Sequence, residues 1–201
     1  MLNIIGLDHR AQARSPDADW SEDQHLLAEI LRSTIRAVDP VLIGEEHSEE
    51  VLKALGRVSI AHEIAAGSTK HRFCDPTPAQ RRDLGYKRSE DIEIEMSMKG
   101  EWDAPAEDRR RNARAVEIGR YFPIRERFWL DCLGAKTCQE EQVVFICGDL
   151  HIESGSFASL LEEKNVPYKV LERRLGVAED ESYYLALAYL RLHPEILNAP
   201  F

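Results

Sequence analysis

Three short apolar runs in this chain each lead into the spacing Gly-x-x-His. Leu2–Ile5 leads into Gly6-Leu7-Asp8-His9, Val41–Ile43 into Gly44-Glu45-Glu46-His47, and Val143–Cys147 into Gly148-Asp149-Leu150-His151. Eleven glycines and seven histidines in 201 residues would give about 0.4 such spacings by chance, so three is an excess. Apolar runs of this length suit strands buried on both faces, as in a parallel sheet. Ligands of open α/β sheets collect at the carboxyl ends of the strands. Three such ends, each carrying His and at least one carboxylate, predict a catalytic or metal site on one sheet edge.

The pattern between the runs fits this class. After the first strand, Asp19 with Glu22 three residues on reads as a capping box opening a helix. Leu27, Leu31 and Ile35 give that helix an apolar ridge as far as Val38, and Asp39-Pro40 stops it. The second strand follows at once, so the connection is long enough for a right-handed parallel crossover. Ser48 opens a short helix ended by Gly56. Val58, Ile60, His62 and Ile64 alternate with Ser59, Ala61 and Glu63 as a strand does, and Lys70–Cys74 reads as its partner. Residues 79–103 resist assignment and are treated as a lid-like insertion. Helices are expected over Pro105–Gly119 and Pro123–Leu133. Strand Gln142–Cys147, helix Ser156–Glu163, strand Tyr168–Leu171 and helix Glu181–Leu192 complete the chain. Tyr184, Leu185, Ala188 and Leu192 supply the apolar face of that last helix. The expectation is one α/β domain over 1–201, with a central, largely parallel sheet flanked by helices and a helical, lid-like insertion at 79–133.

Composition narrows the function classes. A net charge of −10, from 26 basic and 36 acidic side chains, argues against an extended nucleic-acid surface. Arg109, Arg110, Arg111 and Arg114 read as a solvated helix face among Glu107, Asp108 and Glu117. Cys74, Cys132, Cys138 and Cys147 show neither C-x-x-C spacing nor a disulfide framework. No run approaches the ~18 apolar residues of a membrane span, so a cytoplasmic protein without a membrane anchor is expected.

Imidazole and carboxylate at strand ends suit a divalent zinc, manganese, iron or cobalt ion. They equally suit metal-free acid–base work, in which His takes a proton and a carboxylate orients it. His25, His62, His71 and His193 are read as structural histidines, and Trp102, Trp129 and the C-terminal tyrosines as core or interface residues.

Four segments together resemble the superfamily that joins TraB/PrgY proteins, TIKI metalloproteases, erythromycin esterases and ChaN-like haem-binding proteins. They are the first Gly-x-x-His, the acidic end of Pro40–Glu46, Glu126-Arg127 followed by Phe128 and Trp129, and the last Gly-x-x-His with its small-residue helix and Val-Pro-Tyr-Lys-Val strand. Asp75 in Phe73-Cys74-Asp75-Pro76 sits where TraB-like members carry a loop aspartate, although Pro76 replaces the arginine that usually follows. The resemblance implies a hydrolase acting on a small-molecule or peptide substrate. In it His9 and His151 are metal ligands or proton-transfer groups, Glu45 or Glu46 a carboxylate ligand or base, and Arg127, beside Glu126, the cation that steadies a developing anion. His9, Glu46 and His151 would be the metal set. His47 and Asp75 stand behind these, and Asp8 and Asp149 would orient neighbouring groups. The alternative implied by ChaN-like relatives is a non-catalytic protein that binds haem or another small molecule. The apolar C-terminal helix and the 79–103 stretch would suit a homodimer interface.

Overall fold

The computed structural model describes residues 1–67, 69–98, 104–175 and 181–198. Strand β1 (Leu2–Leu7) leads into a four-residue helix α1 (His9–Gln12) and a two-residue strand β2 (Ala13–Arg14). Helix α2 (Glu22–Val38), β3 (Leu42–Glu45), α3 (Glu49–Ala54), β4 (Val58–Ser59), α4 (Ile60–Ala65) and β5 (Lys70–Phe73) follow. The middle of the chain is helical: α5 (Pro78–Asp83), α6 (Ser89–Met98), α7 (Ala106–Val116), a π-helical turn (Glu117–Tyr121), α8 (Phe122–Leu133) and α9 (Ala135–Glu140). Strand β6 (Val143–Gly148), α10 (Asp149–Glu153), α11 (Ser156–Glu163), β7 (Tyr168–Leu175), α12 (Glu181–Leu192) and a 3-10 turn (Pro194–Asn198) complete it.

The central sheet has five parallel strands in the order β5-β3-β6-β1-β7. Its middle is in strict register, Leu2 and Leu42 both lying opposite Val143. Alternation along each strand feeds two cores. Leu2, Ile4, Leu42, Val143, Phe145 and Cys147 meet Trp129, Leu130 and Leu133 of α8 and Phe157 and Leu161 of α11. Ile5, Leu7, Ile43, Val144 and Ile146 meet Leu27, Ala28 and Leu31 of α2 and Ile60, Ala61 and Ala65 of α4. The α/β class and the parallel sheet expected from the sequence are therefore present. No helix among the described residues is long and apolar enough to cross a membrane. The cysteines are free, and burial pushes the Cys74 and Cys147 thiols up, away from reactive thiolates.

Several local expectations are corrected. Helix α2 is capped by Ser21, not Asp19: Ser21 Oγ accepts from Gln24 N (3.3 Å), and Gln24 Oε1 accepts from Ser21 N (2.9 Å). Trp20, just before the cap, packs on His25 one turn in (ring centroids 5.5 Å apart), the staple that fixes entry into a helix at this register. The alternating run at 58–64 is strand only for Val58–Ser59. Ser59 then caps α4, because Ile60, Ala61, Ile64 and Ala65 also form one helical stripe, which packs on the α2 face of the sheet. Within the insertion, Ile92 and Met96 are buried one turn apart while Ile94 is exposed, a helical pattern. Trp102 lies outside the described residues. In α12 the packed face is Tyr183, Ala186, Leu187 and Leu190 against the α7–α8 region, while Leu185 and Leu192 are exposed.

The glycines of the three blocks serve close packing rather than a sharp turn, since none of them has positive φ. A Cβ on Gly44 would overlap Leu133 and press on Cys74 Sγ at 3.0 Å and Phe145 at 3.2 Å. A Cβ on Gly6 would strike Ile152 and Asp149, and one on Gly148 would lie 2.9 Å from His9 Nε2. Gly44→Ala is expected to cost about 1–3 kcal/mol through overpacking, read as a lowered midpoint of urea unfolding. A neutral result would mean that Leu133 and Phe145 can move aside.

Candidate active site

The carboxyl ends of β1, β3 and β6 converge on Glu46. Its side chain is 1% exposed and each oxygen has a partner. Oε2 accepts from the backbone N–H of Gly148 (2.7 Å), and Oε1 accepts from Arg125 Nη2 (2.7 Å). His151 Nε2 lies 3.4 Å from Oε1 and His9 Nε2 3.6 Å. Glu45, one residue earlier on an alternating strand, turns to the other side and bonds His71 (3.0 Å). The choice between the two glutamates thus falls on Glu46 for this cluster.

Helix α8 supplies the rest. Phe122, Glu126, Trp129, Leu130 and Leu133 are its buried residues. Glu126 Oε1 meets His151 Nδ1 at 2.7 Å and accepts from Ser156 Oγ at 2.6 Å. Phe122 stacks on the His151 ring (centroids 3.9 Å) and Trp129 meets it edge-on (4.5 Å). Arg127 is exposed, so the cation expected there is corrected: Arg125 occupies the site. The stripe itself carries the signal, because Arg125 lies three residues after Phe122 and four before Trp129, on the inward side. Arg125 also donates to Asp75 Oδ1 from Nε (3.0 Å) and Nη2 (2.7 Å). Asp75 accepts in addition from Trp129 Nε1 (3.2 Å) and from Arg81. Asp75 therefore belongs to the cluster.

The result is a chain of alternating charge, Glu126–His151–Glu46–Arg125–Asp75–Arg81, largely excluded from water. Burial opposes ionisation of Glu46, but His9, His151 and Arg125 outweigh it and hold its carboxyl well below the usual range. Burial likewise disfavours the Asp75 carboxylate, and Arg125 and Arg81 bring it below its ordinary value. The His151 ring would lose its proton on burial alone, yet Glu46 and Glu126 raise it to about 9, so it is an imidazolium at neutral pH. Arg125 is raised further above its ordinary value by Asp75 and Glu46, against its burial.

His9 differs from these. Its side chain is 52% exposed, and its Nδ1 lies 3.3 Å from Gln12 Oε1. It lines a cavity of about 520 Å³ with Leu7, Phe122, Arg125, Leu150 and Tyr184 among its walls. A second cavity of about 310 Å³, holding Glu46, His47, Ser48, Asp75 and Arg81, shares His9, Arg125, Glu117 and Tyr183 with the first. His47 lies beside the cluster, its ring 6.2 Å from that of His9, and burial lowers its affinity for a proton. Asp8 and Asp149 bond neighbouring groups other than the histidines. Asp8 caps α1 and pairs with Arg10, while buried Asp149 takes two bonds of 2.9 Å from Arg173. Glu117, expected on a solvated helix face, is instead buried on the π-helical turn: it accepts from Tyr86 (2.5 Å), Tyr183 (3.0 Å) and Ser89 N (3.0 Å) and pins α6 and α12 around the cavity mouth. Arg111 and Arg114, from the basic run, lie over Tyr189 and Tyr183.

Of the expected metal ligands, Glu46 is bonded by Arg125 and a backbone N–H, and both ring nitrogens of His151 face carboxylates. Among the described residues no three His, Cys, Asp or Glu side chains are arranged to hold a metal ion. Compared with known proteins, the chain matches no family model, no curated protein and no solved structure.

Two outcomes follow from the charge chain. Arg125→Met, which strands Glu46 and Asp75, is expected to cost about 3–5 kcal/mol, whereas Arg127→Ala should stay within about 0.5 kcal/mol; chemical denaturation of both checks the assignment. Because folding raises the His151 pKa, its stabilisation is fully present below about 6.5, the unfolded value, and is lost as pH rises through about 9. The stability advantage of the parent over His151→Gln should shrink across that window. An advantage independent of pH would overturn the imidazolium assignment.

Proposed function

We propose that the chain is a hydrolase in which His9, backed by Glu46, activates water against an ester, amide or phosphate-like centre held in the 520 Å³ cavity. One observation carries this reading: a half-exposed imidazole at a cavity mouth stands 3.6 Å from a buried carboxylate that three other donors hold rigid. His9 Nδ1 lies 3.3 Å from Gln12 Oε1, so the ring is held between that amide and Glu46. In its neutral form the ring takes the proton of water as the hydroxide adds to the substrate, the imidazolium so formed faces the negative charge of Glu46, and it returns the proton to the leaving oxygen or nitrogen as the bond to it breaks. Arg125, which lines both cavities, is the fixed cation nearest the developing oxyanion. His151 and Glu126 are positioning residues that hold Glu46 in place. The apolar walls favour a small-molecule or peptide substrate with a hydrophobic portion. The two Gly-x-x-His motifs and the acidic strand end that resemble the TraB, TIKI and erythromycin-esterase superfamily support the same reading, and no metal is needed for it.

A panel of aryl esters, peptides and phosphoesters tests the proposal. His9→Gln should lower kcat/KM on any substrate turned over by about 10²–10⁴-fold with little change in melting temperature, and a chelator should leave the parent's activity intact. Absence of turnover together with a Soret band on haem titration would replace the hydrolase with the haem-binding reading.

A further inference from the structure

Glu45 heads a second histidine system on the opposite face of the sheet. Ile43 pairs with His71 and Glu45 with Phe73 across the β3–β5 edge, so His71 points to the side covered by α4. There its Nε2 lies 3.0 Å from Oε1 of the fully buried Glu45. A carboxylate oxygen accepts, so the ring proton sits on Nε2 and the lone pair on Nδ1. That Nδ1 accepts a hydrogen bond from Nδ1–H of His62, on α4, at 3.2 Å, and moving the His62 proton to its Nε2 turns both Nδ1 lone pairs towards one point. The rings meet edge to face (centroids 4.9 Å) against Phe73. Neither histidine lines the cavities around His9, and the proposed hydrolytic chemistry uses neither.

The spacing is informative. Two nitrogens, each about 2.0–2.1 Å from a tetrahedral zinc ion, stand about 3.3 Å apart. A metal-bound histidine almost always gives its other ring N–H to a carboxylate or carbonyl, which fixes the tautomer and raises the ligand's basicity. Glu45 stands in that relation to His71. The outer ring, His62, is exposed, which gives an ion a way in.

We propose that His62 and His71 form a binding site for a zinc-class divalent ion, with both Nδ1 atoms as ligands, Glu45 behind His71, and the remaining positions open to water. The ion would tie α4 to the edge strand β5.

Untagged full-length protein, stripped with chelator and titrated with zinc chloride in a calorimeter, tests this. One equivalent should bind in the micromolar range or tighter and raise the melting temperature. His62→Gln, a change on an exposed helix face, should weaken uptake tenfold or more without loss of fold. Glu45→Gln should weaken it about 10–100-fold. His9→Gln should leave it unchanged, and copper(II) bound in place of zinc should show coupling to two imidazole nitrogens in its electron paramagnetic resonance spectrum. No uptake, or uptake that survives His62→Gln, would overturn the site. Uptake lost in His9→Gln and kept in His62→Gln would place the ion at the other cluster and overturn it equally.

Discussion

Glu46 is a carboxylate almost fully removed from water, and an isolated charge in that position would cost far more than a small domain can spare. It persists because Arg125, His151 and the Gly148 N–H surround it, and each of those groups is balanced by a further partner. Glu126 neutralises His151; Asp75 shares Arg125; Arg81 closes the far end on Asp75. Each member is tolerable only because its neighbours have opposite sign. The elements that carry them, β3, α8, α10, α5 and the loop after β5, must therefore arrive together. A buried network of this kind is weak evidence for stability in itself. Its consequence is geometric: the carboxylate behind His9 has little freedom to turn.

The sheet makes that arrangement affordable in space. Gly44, Gly6 and Gly148 remove side chains where α8, α10 and His9 press against the strand ends. The helix carrying Arg125 and Glu126 can then lie close enough for both to reach the β3 and β6 termini. Trp129 links the two demands, filling the core against Phe145 and Phe157 while its indole N–H satisfies Asp75. Packing and electrostatics are set by the same helix face.

The strands were legible because β1, β3 and β6 are buried on both faces and are apolar at nearly every position, Asn3 and Glu45 excepted. The meeting of His9, Glu46 and His151 was legible for the same reason, since parallel strands deliver their ends to one edge. Which glutamate faces the cluster was not, because the register of a strand end depends on tertiary pairing. Arg125 was passed over for Arg127 through reading a two-residue motif in place of the helical stripe around it. Helix α4 was read as a strand because Ile60–Ala65 satisfies both periodicities over so short a run, and the α2 surface decides between them. Glu117 reads locally as one more carboxylate of a solvated basic face, because the partners that bury it, Tyr86 and Tyr183, lie 31 and 66 residues away.

Adjacent glutamates at the end of one strand have divided roles as a direct result of the pleat. Glu46 turns towards α8 and enters a network whose charges cancel, leaving His9 as the member open to the cavity. Glu45 turns towards α4 and has a single histidine partner, so His71 and then His62 extend the polarity outward to the surface. Both are His/Glu systems built on the same few residues, and they differ in what surrounds the carboxylate. Where arginine and a protonated imidazole saturate it, the carboxylate supports proton transfer by an exposed ring. Where one imidazole is its side-chain partner, it fixes a tautomer and leaves a nitrogen lone pair directed away from itself. The strand supplies both environments because its two faces pack against helices of different composition: α8 brings arginine and glutamate, and α4 brings alanine, isoleucine and a histidine.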